Sequence, residues 1–421
     1  MWYGLLDTQR RLAKAFADTA LTVSGLNCAQ WWTAAAPRAA RDWLVRSTCA
    51  FETAPPFAIE AVCSNGEWIP VEESIADEMP IGTLRKFTRS GNLAPPPGHR
   101  PVILCAPLAG HHAVMLRETV ETLLESCNVV YITDWADARD VPLEAGPLPL
   151  TDYVHALERF ICKVRAGGAP AHIVAVCQAC VPVLAACSLL ASSGTPPFAS
   201  VSLLGGPIDT RPHPTSVDRF ASSRPLCWFR DHAIDEVPPP YRGAGRRVYP
   251  GFIQQAAILA AHPERQFALE ARYWSNWLRG NLHDAQTALR SLNEYAAVLD
   301  MSERYFLDMI GVVFHEHVLA QAAWSIDGRR VDTCALGQVP LCTIEGDRDD
   351  ITGVGQTHCA HALCHAADAS GHRRVTVDQC DHYDLFTGPR WHDAVHPELC
   401  GFWRAIECDS EAKPEPAASI R

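Results

Sequence analysis

The sequence predicts an α/β fold, a mostly parallel sheet with a helical insertion before its last two strands. Three observations carry the prediction. Short β-branched runs alternate with amphipathic stretches from about residue 100 onward, the rhythm of right-handed strand–helix–strand crossovers. From Ala166 to Ile208 there is no Asp, Glu, Lys or Arg, and strands buried on both faces read as such continuous apolar runs. Between about Thr210 and Thr333 the alternation stops. Long helical patterns rich in aromatics take over there, among them Trp228, Tyr249, Tyr273, Trp277, Tyr305 and Trp324.

Each element follows from local chemistry. The first 50 residues read as helical, with Trp31, Trp32 and Trp43 on apolar stripes. Phe57 to Cys63 and Glu67 to Ile75 read as a hairpin about Ser64-Asn65-Gly66, because Asn-Gly supplies the positive φ of a tight primed turn. Gly91 to Pro101, with Pro95-Pro96-Pro97, reads as a linker. Strands follow at Val102–Cys105, Val129–Thr133, Ile173–Val176, Val201–Leu204, Pro340–Ile344 and Arg374–Val377, with helices over Met115–Ser126 and Leu150–Ala166 between the first of them. The uncharged stretch is not a membrane helix, which needs about 20 apolar residues in one run. Gly167-Gly168, Pro170, Pro182, Ser192-Ser193-Gly194 and Pro196-Pro197 cut it into pieces. Asp409 to Arg421 reads as a frayed tail. The expected division is an N-terminal helical segment and hairpin (1–95), a first core part (96–209), a helical lid (210–333), a second core part (334–407) and a flexible tail (408–421).

Composition narrows the functional classes. The chain has 421 residues, 48% of them hydrophobic, enough for a large core and against wholesale disorder. Lys and Arg number 36 against 48 Asp and Glu, a net charge of −12. Such a chain has no general electrostatic reason to bind nucleic acid or an anionic membrane. Met1 to Thr22 carries Asp7, Arg10, Arg11, Lys14 and Asp18 and shows no uncharged signal core, so no secretory signal is expected. The 17 scattered cysteines are then expected to be mostly free, buried thiols of a cytoplasmic protein.

The segment His172-Ile-Val-Ala-Val-Cys177-Gln-Ala-Cys-Val-Pro182 carries the chemistry. A buried strand runs into a nucleophilic residue and then into a helix, the layout of a nucleophile elbow. The sharp turn needs small residues two before and two after the nucleophile; here they are Ala175 and Ala179 rather than glycines. After the strand ending at Ile344 comes Glu345-Gly346-Asp347-Arg348-Asp349-Asp350, where the Gly-x-x-Asp spacing favours Asp349 as an orienting acid. After the last strand comes Asp381-His382-Tyr383, where His382 is placed to act as base. Nucleophile, acid, base is the α/β-hydrolase order. The oxyanion hole would take one N–H from Gln178 and another from Leu108 or Ala109, in the loop Ala106-Pro-Leu-Ala-Gly-His-His112.

Further segments share a family pattern: Pro-Leu-Ala-Gly-His-His (107–112), Tyr-Ile-Thr-Asp-Trp-Ala-Asp-Ala-Arg-Asp-Val-Pro (131–142), Leu-Leu-Gly-Gly-Pro-Ile-Asp (203–209), Arg-Arg-Val-Tyr-Pro-Gly-Phe (246–252) and Glu-Gly-Asp-Arg-Asp-Asp-Ile-Thr-Gly (345–353). With Cys177-Gln they resemble intracellular polyhydroxyalkanoate (polyhydroxybutyrate) depolymerases, from the N-terminus to about Glu407. The resemblance implies a cytoplasmic α/β hydrolase with a Cys-Asp-His triad at Cys177, Asp349 and His382, acting on the amorphous polyester of storage granules and needing no cofactor or metal. The chain departs from the family pattern after the nucleophile, where Ala179-Cys180 stands in place of a Pro-Thr pair. A thioester on Cys177 could be released to water or to a thiol such as coenzyme A. Trp228 and Tyr249, with His111 and His112, are candidates for the wall of a substrate groove. Helices within Met1–Trp43 are candidates for granule contact or for a homodimer interface.

Rival readings have their own residues. Cys177-Gln-Ala-Cys180 also spells a redox pair. His358-Cys359-Ala-His361-Ala-Leu-Cys364-His365 has the look of zinc ligands, against a plain Ala-rich helix. Asp209 is the rival orienting acid. A polyhydroxyalkanoate synthase would share the fold and the cysteine but carries Gly-x-Cys-x-Gly, whereas both flanks here are Ala. A third alternative is an inactive granule-binding paralogue.

Overall fold

The computed structural model describes residues 2–24, 54–64, 66–90, 100–261, 263–364 and 371–412. Nine strands form the main sheet: β1 (Ala61–Ser64), β2 (Glu67–Met79), β3 (Gly82–Arg89), β4 (Val102–Cys105), β5 (Val129–Trp135), β6 (Ala171–Val176), β7 (Phe198–Leu204), β8 (Leu341–Gly346) and β9 (His372–Val377). Their spatial order is β1-β2-β3-β5-β4-β6-β7-β8-β9. The pairings β1–β2, β2–β3 and β3–β5 are antiparallel, and every pairing from β5 onward is parallel. This is an α/β-hydrolase sheet.

The central strands are buried on both faces, and side-chain alternation sorts them. On β4, Ile103 and Cys105 join one core while Val102 and Leu104 join the other. On β6, Ile173 and Ala175 face the first core, Val174 and Val176 the second. Period-two alternation with apolar residues at every position requires helices on both sides. The first face is covered by α3 (Leu150–Ala166) and α4 (Cys180–Ser192), the second by α2 (Arg117–Ser126) and α11 (His396–Ala412). Helix α3 buries Leu150, Tyr153, Val154, Leu157, Phe160, Ile161 and Val164, the i, i+3, i+4 stripe of a core-facing helix. Each such side chain contributes about 1.5–3 kcal/mol on burial. The uncharged stretch resolves into β6, α4 and β7. Among the described residues no helix is long and apolar enough to cross a membrane.

Between β7 and β8 lie α5 (Ser216–Ser222), α6 (Leu226–Ala233), α7 (Gly251–Ala261), α8 (Pro263–Leu278), α9 (Leu282–Ala296) and α10 (Glu303–Met309). A small antiparallel ribbon of Asp235–Glu236, Arg247–Tyr249 and Met301–Ser302 joins them, which helical periodicity alone does not show. The N-terminal helix α1 (Trp2–Ser24) docks onto this insertion: Tyr3 is buried, its N–H donates to Asp235 and its hydroxyl to Asp300 Oδ2.

Other differences have physical reasons. The hairpin turn holds, with Gly66 at φ 82°, but β2 runs past Ile75 to Met79 and pairs with β3, a strand the sequence reading leaves out. Strand β3 is Gly-Thr-Leu-Arg-Lys-Phe-Thr-Arg. Its basic residues hide the pattern, although Leu84 and Phe87 are fully buried and Arg85 pairs with Asp134 at 2.6 Å. Helix α11 extends to Ala412, into the first residues of the expected tail. Trp31, Trp32, Trp43, the prolines at 95–97 and residues 413–421 lie outside the described residues.

Candidate active site

The loops at the carboxyl ends of β4, β6, β8 and β9 meet at one place. Cys177 follows β6 directly, with φ 55°. A positive φ is a strained conformation for a side chain other than glycine, and it turns the half-buried Cys177 outward at the head of a single 3₁₀ turn that leads into α4. Pro182 sits in the first turn of α4, where a missing N–H costs little.

Asp349 and His382 come together from the loops after β8 and β9. His382 Nδ1 and Asp349 Oδ2 are 2.7 Å apart, both residues being buried. Asp349 Oδ1 accepts hydrogen bonds from the N–H groups of Ile351 (2.9 Å) and Thr352 (2.8 Å), which fixes the carboxylate before it meets the ring. The Cys177 side chain is near enough to His382 to act on the charge of its ring. Burial acts to lower the pKa of His382, but the Asp349 carboxylate and then Cys177 outweigh it and hold the imidazole well above its ordinary range. Close packing depends on Gly205 (φ 56°), where an added Cβ would come within 3.3 Å of both Asp349 Oδ2 and His382 Cε1. At the neighbouring Gly206, a Cβ would come within 2.2 Å of Cys180 Cβ.

The structure separates the rival acid from the ring. Asp209 is held by Arg211 through bonds of 2.8 and 2.7 Å; burial acts to raise its pKa, but these bonds and the Arg211 charge keep it below the usual carboxylate range. Cys180 is fully buried, its thiol directed at the carbonyls of Ala175 (3.3 Å) and Leu204 (3.8 Å), and burial raises its pKa far above that of a free thiol. His358 and His361 both bond to Thr343 Oγ1, at 2.6 and 2.9 Å. Among the described residues no group of three or more His, Cys, Asp and Glu is arranged to hold a metal; His365 lies outside them.

The loop after β4 is clamped to the insertion. Gly110 N–H donates to Gln254 Oε1 (2.8 Å), His111 N–H to Ala109 O (3.2 Å) and His112 N–H to Ala297 O (3.0 Å). Pro107 has no N–H. Leu108 and Ala109 are therefore the loop's candidates for an oxyanion donor. His111 stacks near Tyr295 (5.2 Å between ring centres) and meets the edge of Tyr383, next to His382. Tyr249 stacks on Phe306 at 4.2 Å, and Trp228 contacts Phe220, Phe229 and His232. These contacts make both rings part of the packing within the insertion.

Three residues at the site escape sequence reasoning. Tyr305, from α10, donates to the Gln178 side chain at 2.9 Å. Gln254, from α7, holds Gly110 and donates to Leu299 O (3.1 Å). Glu345, at the end of β8, accepts from the N–H groups of Gly355, Thr357 and His358 and shapes the loop bearing Asp349. Only Glu345 carries a local signal, as a buried acid ending an apolar strand.

Residues 205–407 match a family described as "PHB de-polymerase C-terminus". No curated protein matches the chain. Similar solved structures include 2-hydroxy-6-oxo-6-phenylhexa-2,4-dienoate hydrolase from Rhodococcus sp. strain RHA1 (15% identity, TM-score 0.42, covering 80% of this chain and 99% of that one). Another is a monoacylglycerol lipase of Paleococcus ferrophilus (11% identity, TM-score 0.42, 73% and 96%). A third is a thioesterase domain from the curacin biosynthetic pathway (11% identity, TM-score 0.43, 79% and 99%). On the strand order of an α/β hydrolase, residues 205–407, a little under half of the chain, are thus similar to the C-terminal part of the PHB depolymerase family, the family its motifs resemble.

Proposed function

We propose that the chain is an ester hydrolase that cleaves poly(3-hydroxybutyrate) or a related polyhydroxyalkanoate through Cys177, His382 and Asp349. The observation that carries the reading is the positive φ of Cys177 at the strand-to-helix turn, with His382 near it and Asp349 bonded behind the ring. The matched depolymerase domain supports the substrate class. The backbone N–H groups of Gln178 and of Leu108 or Ala109 are the oxyanion donors, a reading supported by the engagement of the N–H groups of Gly110, His111 and His112 elsewhere.

The chemistry follows the groups present. Cys177 sulfur attacks the ester carbonyl carbon while its proton passes to His382. The oxyanion that forms is met by backbone N–H groups. The carbon–oxygen bond of the ester breaks, and His382 returns the proton to the departing alkoxide. Water then attacks the thioester, loses a proton to His382 and displaces the sulfur, so one ester gives one acid and one alcohol. A thiol such as coenzyme A in place of water gives a new thioester and the same alcohol. Asp349 holds the ring tautomer and stabilises the imidazolium. The polyester is uncharged and apolar, so a site roofed by the insertion needs no ionic contact with it. Activity at cytoplasmic granules belongs to the same proposal.

The test is the turbidity of native amorphous polyester granules. Wild type clears them and releases 3-hydroxybutyrate or its oligomers, and Cys177→Ala does not. Clearing that survives Cys177→Ala overturns the mechanism. Polymer growth from 3-hydroxybutyryl-coenzyme A, or granule binding without turnover, overturns the activity.

A further inference from the structure

A concavity lies at the amino-terminal end of the sheet, opposite the loops that carry Cys177, Asp349 and His382. Its volume is about 380 Å³, within the range of small-molecule sites, roughly 300–1,000 Å³. Arg89 at the end of β3, Arg100 before β4, His172 on β6 and Trp403 and Arg404 on α11 line it, with Glu125 and Glu407. Trp403, Arg404 and Glu407 stand at i, i+1 and i+4 on α11, so one side of that helix forms a wall. His172 lies on β6 five residues before Cys177, which follows the strand, about 16 Å away at the rise of an extended chain. The concavity is therefore separate from the catalytic site.

Its guanidinium groups outnumber its carboxylates, and two of them are only partly satisfied: Arg89 Nη1 donates to the carbonyls of Leu124 (3.3 Å) and Glu125 (3.4 Å), and Arg404 Nε to that of Cys400 (3.2 Å). Three guanidinium groups converge here in a chain of net charge −12. The Arg100 Nε and the indole N–H of Trp403 are both buried and have no hydrogen-bond partner among the described residues. Trp403 is 4% exposed and His172 1% exposed, and their rings stack 5.1 Å apart at 18°. A buried donor left without an acceptor costs about 1–3 kcal/mol, and guanidinium forks match carboxylate and phosphate oxygens. The two acids are placed differently. Glu407 is drawn to the wall by Arg100 N–H at 3.1 Å and lies 3.6 Å from His172 Nε2. Glu125 is exposed on the rim, and partial burial still raises its pKa.

We infer that this concavity is a binding site for a small hydroxylated organic anion, whose carboxylate or phosphate takes the arginines and the Trp403 N–H while its hydroxyl donates to Glu407. The inference is independent of any role for Cys177. Isothermal titration of the full chain tests it with (R)-3-hydroxybutyrate, inorganic phosphate and, at equal ionic strength, sodium chloride. One saturable site for an oxyanion and none for chloride is expected. Saturation by the hydroxyacid identifies a carboxylate ligand, and saturation by phosphate alone identifies a phosphate ester. Arg404→Gln, at an exposed position, weakens binding about tenfold, the loss of one charge-assisted bond. Glu125→Gln, also exposed, strengthens it by removing a like charge. Cys177→Ala leaves it unchanged, which sets the site apart from product binding at the catalytic cysteine. Absence of saturation with both oxyanions, or affinities untouched by both surface variants, overturns the inference.

Discussion

Two loops at the carboxyl end of the sheet carry buried histidines, and their histidines behave oppositely. His382, after β9, is 3% exposed; His111 and His112, after β4, are 6% and 8% exposed. Burial lowers the pKa of all three. It wins at His111 and His112, which fall to about 4, and loses at His382. The difference is the partner. Asp349 sits 2.7 Å from His382 with its own oxygens bonded. His112 Nε2 is 4.0 Å from Asp137 Oδ2, and His111 faces Arg265 and two tyrosines. One loop is thus built to hold a proton and the other to stay neutral, which suits a base on the first and a wall or oxyanion support on the second.

The comparison can be broken at several points. The largest effect is expected from His382→Ala, which should lower polyester hydrolysis by about 10⁴-fold or more, while His112→Gln should lower it by no more than about tenfold; initial rates on soluble hydroxybutyrate oligomers separate them. Comparable losses from both would mean that the two loops share the proton transfer. Asp349→Asn should cost about 10⁴-fold and also let burial dominate, so that the His382 imidazole titrates below rather than above its ordinary range. Ring proton shifts against pH report this directly. The sign for stability follows: the His382–Asp349 pair stabilises the fold fully below the unfolded pKa of about 6.5 and loses that contribution as pH rises through the raised native value.

Smaller effects probe the surroundings. Tyr305→Phe removes one hydrogen bond to Gln178, about 1 kcal/mol, and should lower kcat about fivefold with little change in KM. A change confined to KM would mean that Tyr305 meets substrate instead. At the buried carboxylates of Asp137 and Asp300, unlike at His382, burial outweighs the partner charges. Burial raises Asp300 to about 7 and Asp137 to about 6. A raised carboxylate binds its proton more tightly in the native state, so stability falls as pH rises from about 4 towards 7. Asp300→Asn should flatten that part of the curve of Tm against pH, and an unchanged slope would mean that Asp300 is ionised throughout.

The same contrast explains what could be read in advance. The central strands were legible because parallel strands have no polar face to interrupt their apolar runs. β3 was not, since Arg85, Lys86 and Arg89 mask Leu84 and Phe87 on a strand with one polar face. Cys177, Asp349 and His382 stood out because each follows a legible strand. Tyr305 and Gln254 come from helices of the insertion, 128 and 77 positions beyond Cys177; nothing in their local sequence says which loop they will touch. Trp228 and Tyr249 stood out for the opposite reason, since large aromatics attract notice wherever they fall, and the ring contacts recorded for both are with neighbours in the insertion.

Gly206 and Cys180 have a consequence for how this chain can vary. The strand-end glycine and the first residue of the helix behind the nucleophile occupy what is almost a single volume, since a methyl group at 206 would land 2.2 Å from Cys180 Cβ and 2.4 Å from its sulfur. The two positions can drift only together. A side chain gained at 206 has to be matched by one lost at 180, or by a shift of the turn that carries Cys177, whose carbonyl would lie 3.2 Å from the added carbon.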